Sequence, residues 1–150
     1  MPLGRKKSLL LTGDHVLPRI TPHISLEPFG APNPLQEYYE SLARVDLPAE
    51  PDEIEVLPGH EYRFSGLHER IAEIVAHTDQ RSAEVRRVLS NNNPVNVWEV
   101  ARSLTWSRGW ESLAGFTLRL ALAETASHLV YLRSQGVAVN IEALEADSRG

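Results

Sequence analysis

The apolar positions of this chain fall into two short runs and, between and after them, segments of helical spacing. Ser8-Leu9-Leu10-Leu11 has no polar alternation, which predicts a strand buried on both faces, and Thr12-Gly13 ends it. Ile54-Glu55-Val56-Leu57 stops in the same manner at Pro58-Gly59. Between the runs, Pro18, Pro22, Pro28, Pro32 and Pro34 rule out long regular structure over residues 15–34 and predict a loop over the edge of the sheet. Asn33-Pro34 then supplies an N-cap and a proline at the first helical position, and Leu35, Tyr38, Tyr39, Leu42 and Val45 share one helical face. The segment Leu47–Asp52, with two prolines, stops that helix.

After His60, Ser65 is a plausible cap for a helix reaching about Leu89, in which Leu67, Ile71, Ile74, Val75, Thr78, Val85, Val88 and Leu89 keep 3.6-residue spacing. Asn91-Asn92-Asn93-Pro94 marks a boundary. Beyond it, Asn96 to Glu99 has capping-box spacing, a second long helix spans about Phe116 to Ser134, and Val137-Ala138-Val139 is expected as a short strand. The whole reads as an α/β chain with a domain over residues 1–90 and a small winged-helix-like unit over residues 91–150.

Composition narrows the classes. With 150 residues and 42% hydrophobic content the chain can build one compact core or two small units. It has no cysteine, which excludes disulfides, thiol catalysis and cysteine-held zinc. Gly4-Arg5-Lys6-Lys7 before three leucines is too short an apolar stretch for a signal sequence, and no run approaches transmembrane length, so a cytoplasmic protein without a membrane partner is expected. The net charge of −5 disfavours broad attraction to phosphate backbones. Over residues 91–150, five arginines stand against six carboxylates, giving 5 − 6 = −1, a poor footprint for groove binding, so DNA is not the expected partner.

Two positions carry the candidate chemistry. Asp14, in Thr12-Gly13-Asp14-His15, and His60, in Leu57-Pro58-Gly59-His60, each follow a strand end directly. A carboxylate and an imidazole suit a divalent ion such as zinc. On spacing alone, Gly-Asp after a strand reads as a turn and Pro-Gly-His as a loop, with metal ligation as the alternative.

The text around them is more specific. Residues 13–26, Gly-Asp-His-Val-Leu-Pro-Arg-Ile-Thr-Pro-His-Ile-Ser-Leu, followed by Leu-Pro-Gly-His at 57–60 and Gly66-Leu67-His68-Glu69-Arg70-Ile71, resemble the C-terminal half of metallo-beta-lactamase-fold hydrolases. The similarity is greatest to the branch with glyoxalase II-like enzymes and a beta-lactamase-like endoribonuclease, and it runs to about Val139. The resemblance implies the second half of an αββα sandwich followed by the winged-helix-like unit as a lid or support. It also implies that Asp14 bridges two zinc ions, that His60 binds the second, and that the complete domain hydrolyses a thioester, ester or phosphodiester in a small molecule or RNA.

The family's first motif, His-x-His-x-Asp-His, is absent: none of His15, His23, His60, His68, His77 and His128 makes it, and Met1 stands seven residues before the first strand. The expectation is therefore a C-terminal portion, inactive alone, arising from a truncated gene, a misplaced start or a split protein. It would depend on a missing N-terminal half or self-associate through apolar surface left open. The competing expectation is a non-catalytic interaction module or a winged-helix nucleic-acid-binding protein.

His15 and His23 flank the proline-rich loop and are expected near substrate or behind the ligands. His68 and His77, nine positions apart, lie about 180° apart on one helix and cannot share an ion. Trp98, Trp106 and Trp110 are expected to fill a small helical core, with stacking on RNA bases as the alternative.

Overall fold

A computed structural model describes residues 8–46 and 54–141. Its elements in chain order are β1 (Ser8–Gly13), α1 (Pro34–Val45), β2 (Ile54–Pro58), α2 (Leu67–Asn92), α3 (Val97–Arg102), a single 3-10 turn at Trp110–Ser112, and α4 (Gly115–Ser134). The expected helix stop at Leu47–Asp52 falls outside the described residues, apart from the end of α1 itself. Contacts group the chain into two compact units, one of residues 1–22 with 39–78 and the other of residues 23–38 with 79–150. Both α1 and α2 therefore pass from one unit into the other along their length.

In the first unit β1 and β2 form a two-stranded parallel sheet, with Ser8 opposite Ile54, Leu9 opposite Glu55, Leu10 opposite Val56 and Leu11 opposite Leu57. Partners in register share a face, so Leu10 with Val56 marks one side and Leu9, Leu11, Glu55 and Leu57 the other. The first side is the better covered in β2, where Val56 is fully buried and Ile54 nearly so. Leu9 is 60% exposed and Leu11 79% exposed. This corrects the expectation of a strand buried on both faces, since Leu9 and Leu11 of β1 face water on the second side. β2 is also bridged to Phe64 by reciprocal main-chain bonds of 2.8 and 3.1 Å from Val56.

The start of α1 follows its sequence signal. Asn33 Oδ1 accepts the Gln36 N–H at 3.3 Å, capping the turn opened by Pro34. Leu35, Tyr38 and Leu42 are buried, as their spacing requires.

The second unit is helical. Val85, Val88, Val100, Leu104, Leu129, Leu132 and Ile141 make its core, with Leu89, Val97, Trp106, Val137 and Val139 packed around them. Asn96 caps α3 through its side chain, which accepts the Glu99 N–H at 2.9 Å, while Glu99 Oε2 accepts the Val95 N–H at 2.9 Å. The Asn96 half of the box that the spacing predicts is present, whereas Glu99 reaches one residue further back, to Val95, and not to the N-cap N–H itself.

Residues 137–139 do not form the expected strand. The Val137 N–H closes the end of α4 on the Leu132 carbonyl at 3.0 Å, and no strand is present among the described residues of this unit to pair with it. The valines bury against the helices instead. Of the tryptophans, Trp106 packs on the core, donates to the Ala101 carbonyl at 2.8 Å and carries the Arg81 guanidinium 4.7 Å above its ring. Trp98 and Trp110 meet edge to face at 5.1 Å away from that core, and Trp98 is 46% exposed. No described helix is long and apolar enough to cross a membrane.

The one-sided sheet makes a testable contrast. In dilute solution Leu11→Ser changes unfolding free energy by less than about 1 kcal/mol, because its side chain is already in water. Leu42→Ala, at a fully buried site, costs about 2–5 kcal/mol. Urea denaturation followed by circular dichroism measures both.

Candidate metal centre

Two features of the strand ends build the site. Pro58 has no N–H to continue the ladder, and the register slips between Leu11 and Gly13, which pairs with Pro58. Gly13 turns into the left-handed region at φ +53, and the next available donor, Gly59 N–H, bonds its carbonyl at 2.7 Å. The two strands run the same way, so the residues that leave them emerge side by side.

Those residues are Asp14 and His60. His60 Nε2 lies 3.2 Å from Asp14 Oδ1, and the two side chains are 69% and 67% exposed. The sequence-predicted pair is thus brought together in space. Gly59 is what lets them meet: a Cβ at that position would stand 2.8 Å from Asp14 Oδ1 and 3.1 Å from the Gly13 carbonyl carbon. No signal in the hydrophobic pattern marks Gly59 for this role, although the Pro-Gly pair flags a turn.

The loop after Asp14 is anchored within the same unit. The His15 N–H returns to the Thr12 carbonyl at 3.0 Å, and Thr12 Oγ1 donates to the Val16 carbonyl at 2.9 Å. Val16 and Leu17 are buried. Arg70 on α2 donates from Nε to the Leu17 carbonyl at 2.6 Å and from Nη2 to the Ile20 carbonyl at 3.2 Å, with only 11% of its side chain exposed. In the turn after β2, Glu61, directly after His60, binds Arg19 of this loop. Neither Arg70 nor Glu61 carried a sequence signal, since a charged residue on a helix or after a turn reads as solvated.

The other candidate residues lie elsewhere. His15 points its Nε2 at Ser41 Oγ on α1, 2.5 Å away, and His23 Nδ1 faces Glu124 Oε2 at 3.9 Å within the second unit. His68, on the first turn of α2, bonds the Asp46 carboxylate from Nδ1 at 2.9 and 3.1 Å. That hydrogen bond and the Asp46 charge hold the His68 imidazole above its ordinary 6.5.

A fit to zinc can be tested on the donors alone. Imidazole nitrogen and carboxylate oxygen are both zinc ligands, and two donors about 2.0 Å from a tetrahedral ion stand about 3.3 Å apart. The observed 3.2 Å matches that spacing. Among the described residues there is no group of three or more His, Cys, Asp or Glu arranged to hold an ion. The pair fits as two ligands of a set and does not complete one.

Comparison with known proteins defines the class. No protein-family model and no curated protein matches the chain. Its solved structural neighbours are proteins of the metallo-beta-lactamase type, so the chain carries part of that mixed α/β fold. One is a beta-lactamase domain protein from Burkholderia ambifaria, 34% identical, with a TM-score of 0.70 over 87% of this chain. Another is a metallo-beta-lactamase family protein from Thermus thermophilus, 29% identical, with a TM-score of 0.67 over 85% of this chain. The chain spans 37% of the length of each.

This geometry is open to two tests. Gly59→Ala overpacks the approach of the strand ends and lowers stability by a net of about 1–2 kcal/mol in chemical denaturation. A variant as stable as the parent would show that the close contact imposes no constraint. In the second test, the His68 imidazole titrates above 6.5 by NMR, and Asp46→Asn moves it down. Because the folded value is raised, the stabilisation is fully present below pH 6.5 and disappears as pH rises through the folded value.

Proposed function

We propose that this chain supplies the C-terminal part of a metallo-beta-lactamase-type hydrolase centre, with Asp14 and His60 as ligands for zinc. The observation that carries the reading is the 3.2 Å approach of their donor atoms at the ends of two parallel strands. The likeness to metallo-beta-lactamase-type structures at 34% and 29% identity supports it. In that reading Asp14 presents its carboxylate from the turn after β1, His60 offers Nε2 of its imidazole, and Gly59 leaves room for both. An ion held by Asp14 and His60 with further ligands would supply Lewis-acid activation of water and of the bond to be hydrolysed. The substrate class is a thioester, an ester or a phosphodiester, in a small molecule or an RNA. The chain alone is inactive, and the remaining ligands come from a complementary portion of the fold. That portion, or a second copy of the chain, covers the open side of the sheet at Leu9 and Leu11.

A second reading is a non-catalytic interaction module. The same exposed leucines favour it, as do Trp98 and Phe116, which is 71% exposed.

Metal binding separates the two readings. Titration of the purified full chain with Co²⁺, or zinc analysis after dialysis, is expected to give one saturable ion per chain, with affinity at least about tenfold weaker in Asp14→Ala and in His60→Ala. Binding that is absent, or indifferent to both substitutions, leaves the interaction module.

A further inference from the structure

The residue directly after His60 holds a backbone conformation that glycine would hold more easily. Glu61 sits at φ +69, in the left-handed region where a Cβ is disfavoured. Such conformations persist where the surroundings need the side chain that adopts them.

Its carboxylate has one destination, the loop that leaves Asp14. Glu61 Oε1 accepts from Arg19 Nε at 3.1 Å and lies 3.0 Å from Nη2, while Oε2 accepts the Arg19 main-chain N–H at 3.2 Å. One carboxylate thus grips both the guanidinium and the backbone of a single residue. The Arg19 guanidinium also lies 5.8 Å over the Tyr62 ring. The Glu61 side chain is only 11% exposed although the residue as a whole lies at the surface, and that of Arg19 is 71% exposed. A surface ion pair of this kind adds little to stability, so stability is a weak reason to keep a glutamate here. What the contact does is geometric. Arg70 ties the same loop to α2 through Leu17 and Ile20, but Glu61 ties it to the segment that carries His60.

We propose that Glu61 and Arg19 are positioning residues: a latch between the two strand-end turns that keeps the Asp14 carboxylate and the His60 imidazole at ligand spacing before any ion arrives. Its effect on metal affinity rests on the reading of Asp14 and His60 as ligands, whereas the latch itself is independent of that reading.

Glu61→Gly is the decisive variant in the full chain, because glycine accepts the left-handed backbone and only the carboxylate is lost. Its thermal midpoint is expected to stay level or rise, while metal-free amide exchange over residues 14–20 becomes at least about tenfold faster and that of β1 and β2 does not change. Co²⁺ affinity falls about tenfold. Arg19→Met gives the same result, Glu61→Gln recovers part of the protection, and the double variant is no worse than either single one. Parental exchange over residues 14–20 in Glu61→Gly, or additive losses in the double variant, overturns the latch. Faster exchange in Glu61→Gly, with Co²⁺ binding indifferent to Asp14→Ala and His60→Ala, upholds the latch and removes the ligand reading. Loss of binding in those two variants, with Glu61→Gly unchanged in exchange and affinity, does the reverse.

Discussion

The 2.7 Å hydrogen bond from Gly59 to the Gly13 carbonyl is the constraint from which the candidate centre derives. It forms just past Pro58, where the ladder would otherwise end for want of a donor. Because β1 and β2 are parallel, both chains leave the sheet at the same edge, and the first side chains beyond it belong to Asp14 and His60. An antiparallel pairing of the same two runs would have put these residues at opposite ends. This agrees with the general placement of ligand sites outside the carboxyl ends of parallel strands. Two glycines share the work: Gly13 takes the left-handed turn and Gly59 leaves the space that Asp14 occupies.

The polar groups divide into those that stabilise and those that stand ready. In the second unit, buried Ser82 and His128 satisfy each other at 2.8 Å. Burial works against the charge on Glu84, yet the Thr105 N–H at 2.6 Å and Arg81 at 2.7 Å outweigh it and hold its carboxyl below the usual range. Ser82 and His128 are interior and partnered, as buried polar atoms must be, and Glu84 is partnered at the half-buried margin. Asp14 and His60 are the opposite case, two-thirds exposed and 3.2 Å apart. Such a pair contributes little to folding, and its geometry must be imposed by the backbone and by its neighbours.

Much of the architecture was legible because the signals were local. Asn33-Pro34 and Asn96 to Glu99 mark helix starts through bonds spanning three residues, and both bonds are present. The apolar runs gave the strands, and the chemistry of the residues after each run gave the pair that meets. What escaped the sequence is non-local. Three leucines in a row look the same whether one or two sides of the sheet are covered, and only the surroundings left Leu9 and Leu11 in water. Val137 and Val139 have strand-like composition but no partner strand among the described residues, so packing on helices prevailed over β propensity. Arg19 and Glu61 are 42 positions apart, and no spacing rule connects them.

The path of the backbone between the two compact units has a consequence for how the chain can be divided. It visits the first, the second, the first again and the second again, crossing partway along α1 and α2. No single scission yields both units intact, and a break placed after Asn93, the natural-looking linker, would strip α3 and α4 from the part of α2 that packs with them. Any one cut that spares one unit divides the other, even though each has its own interior.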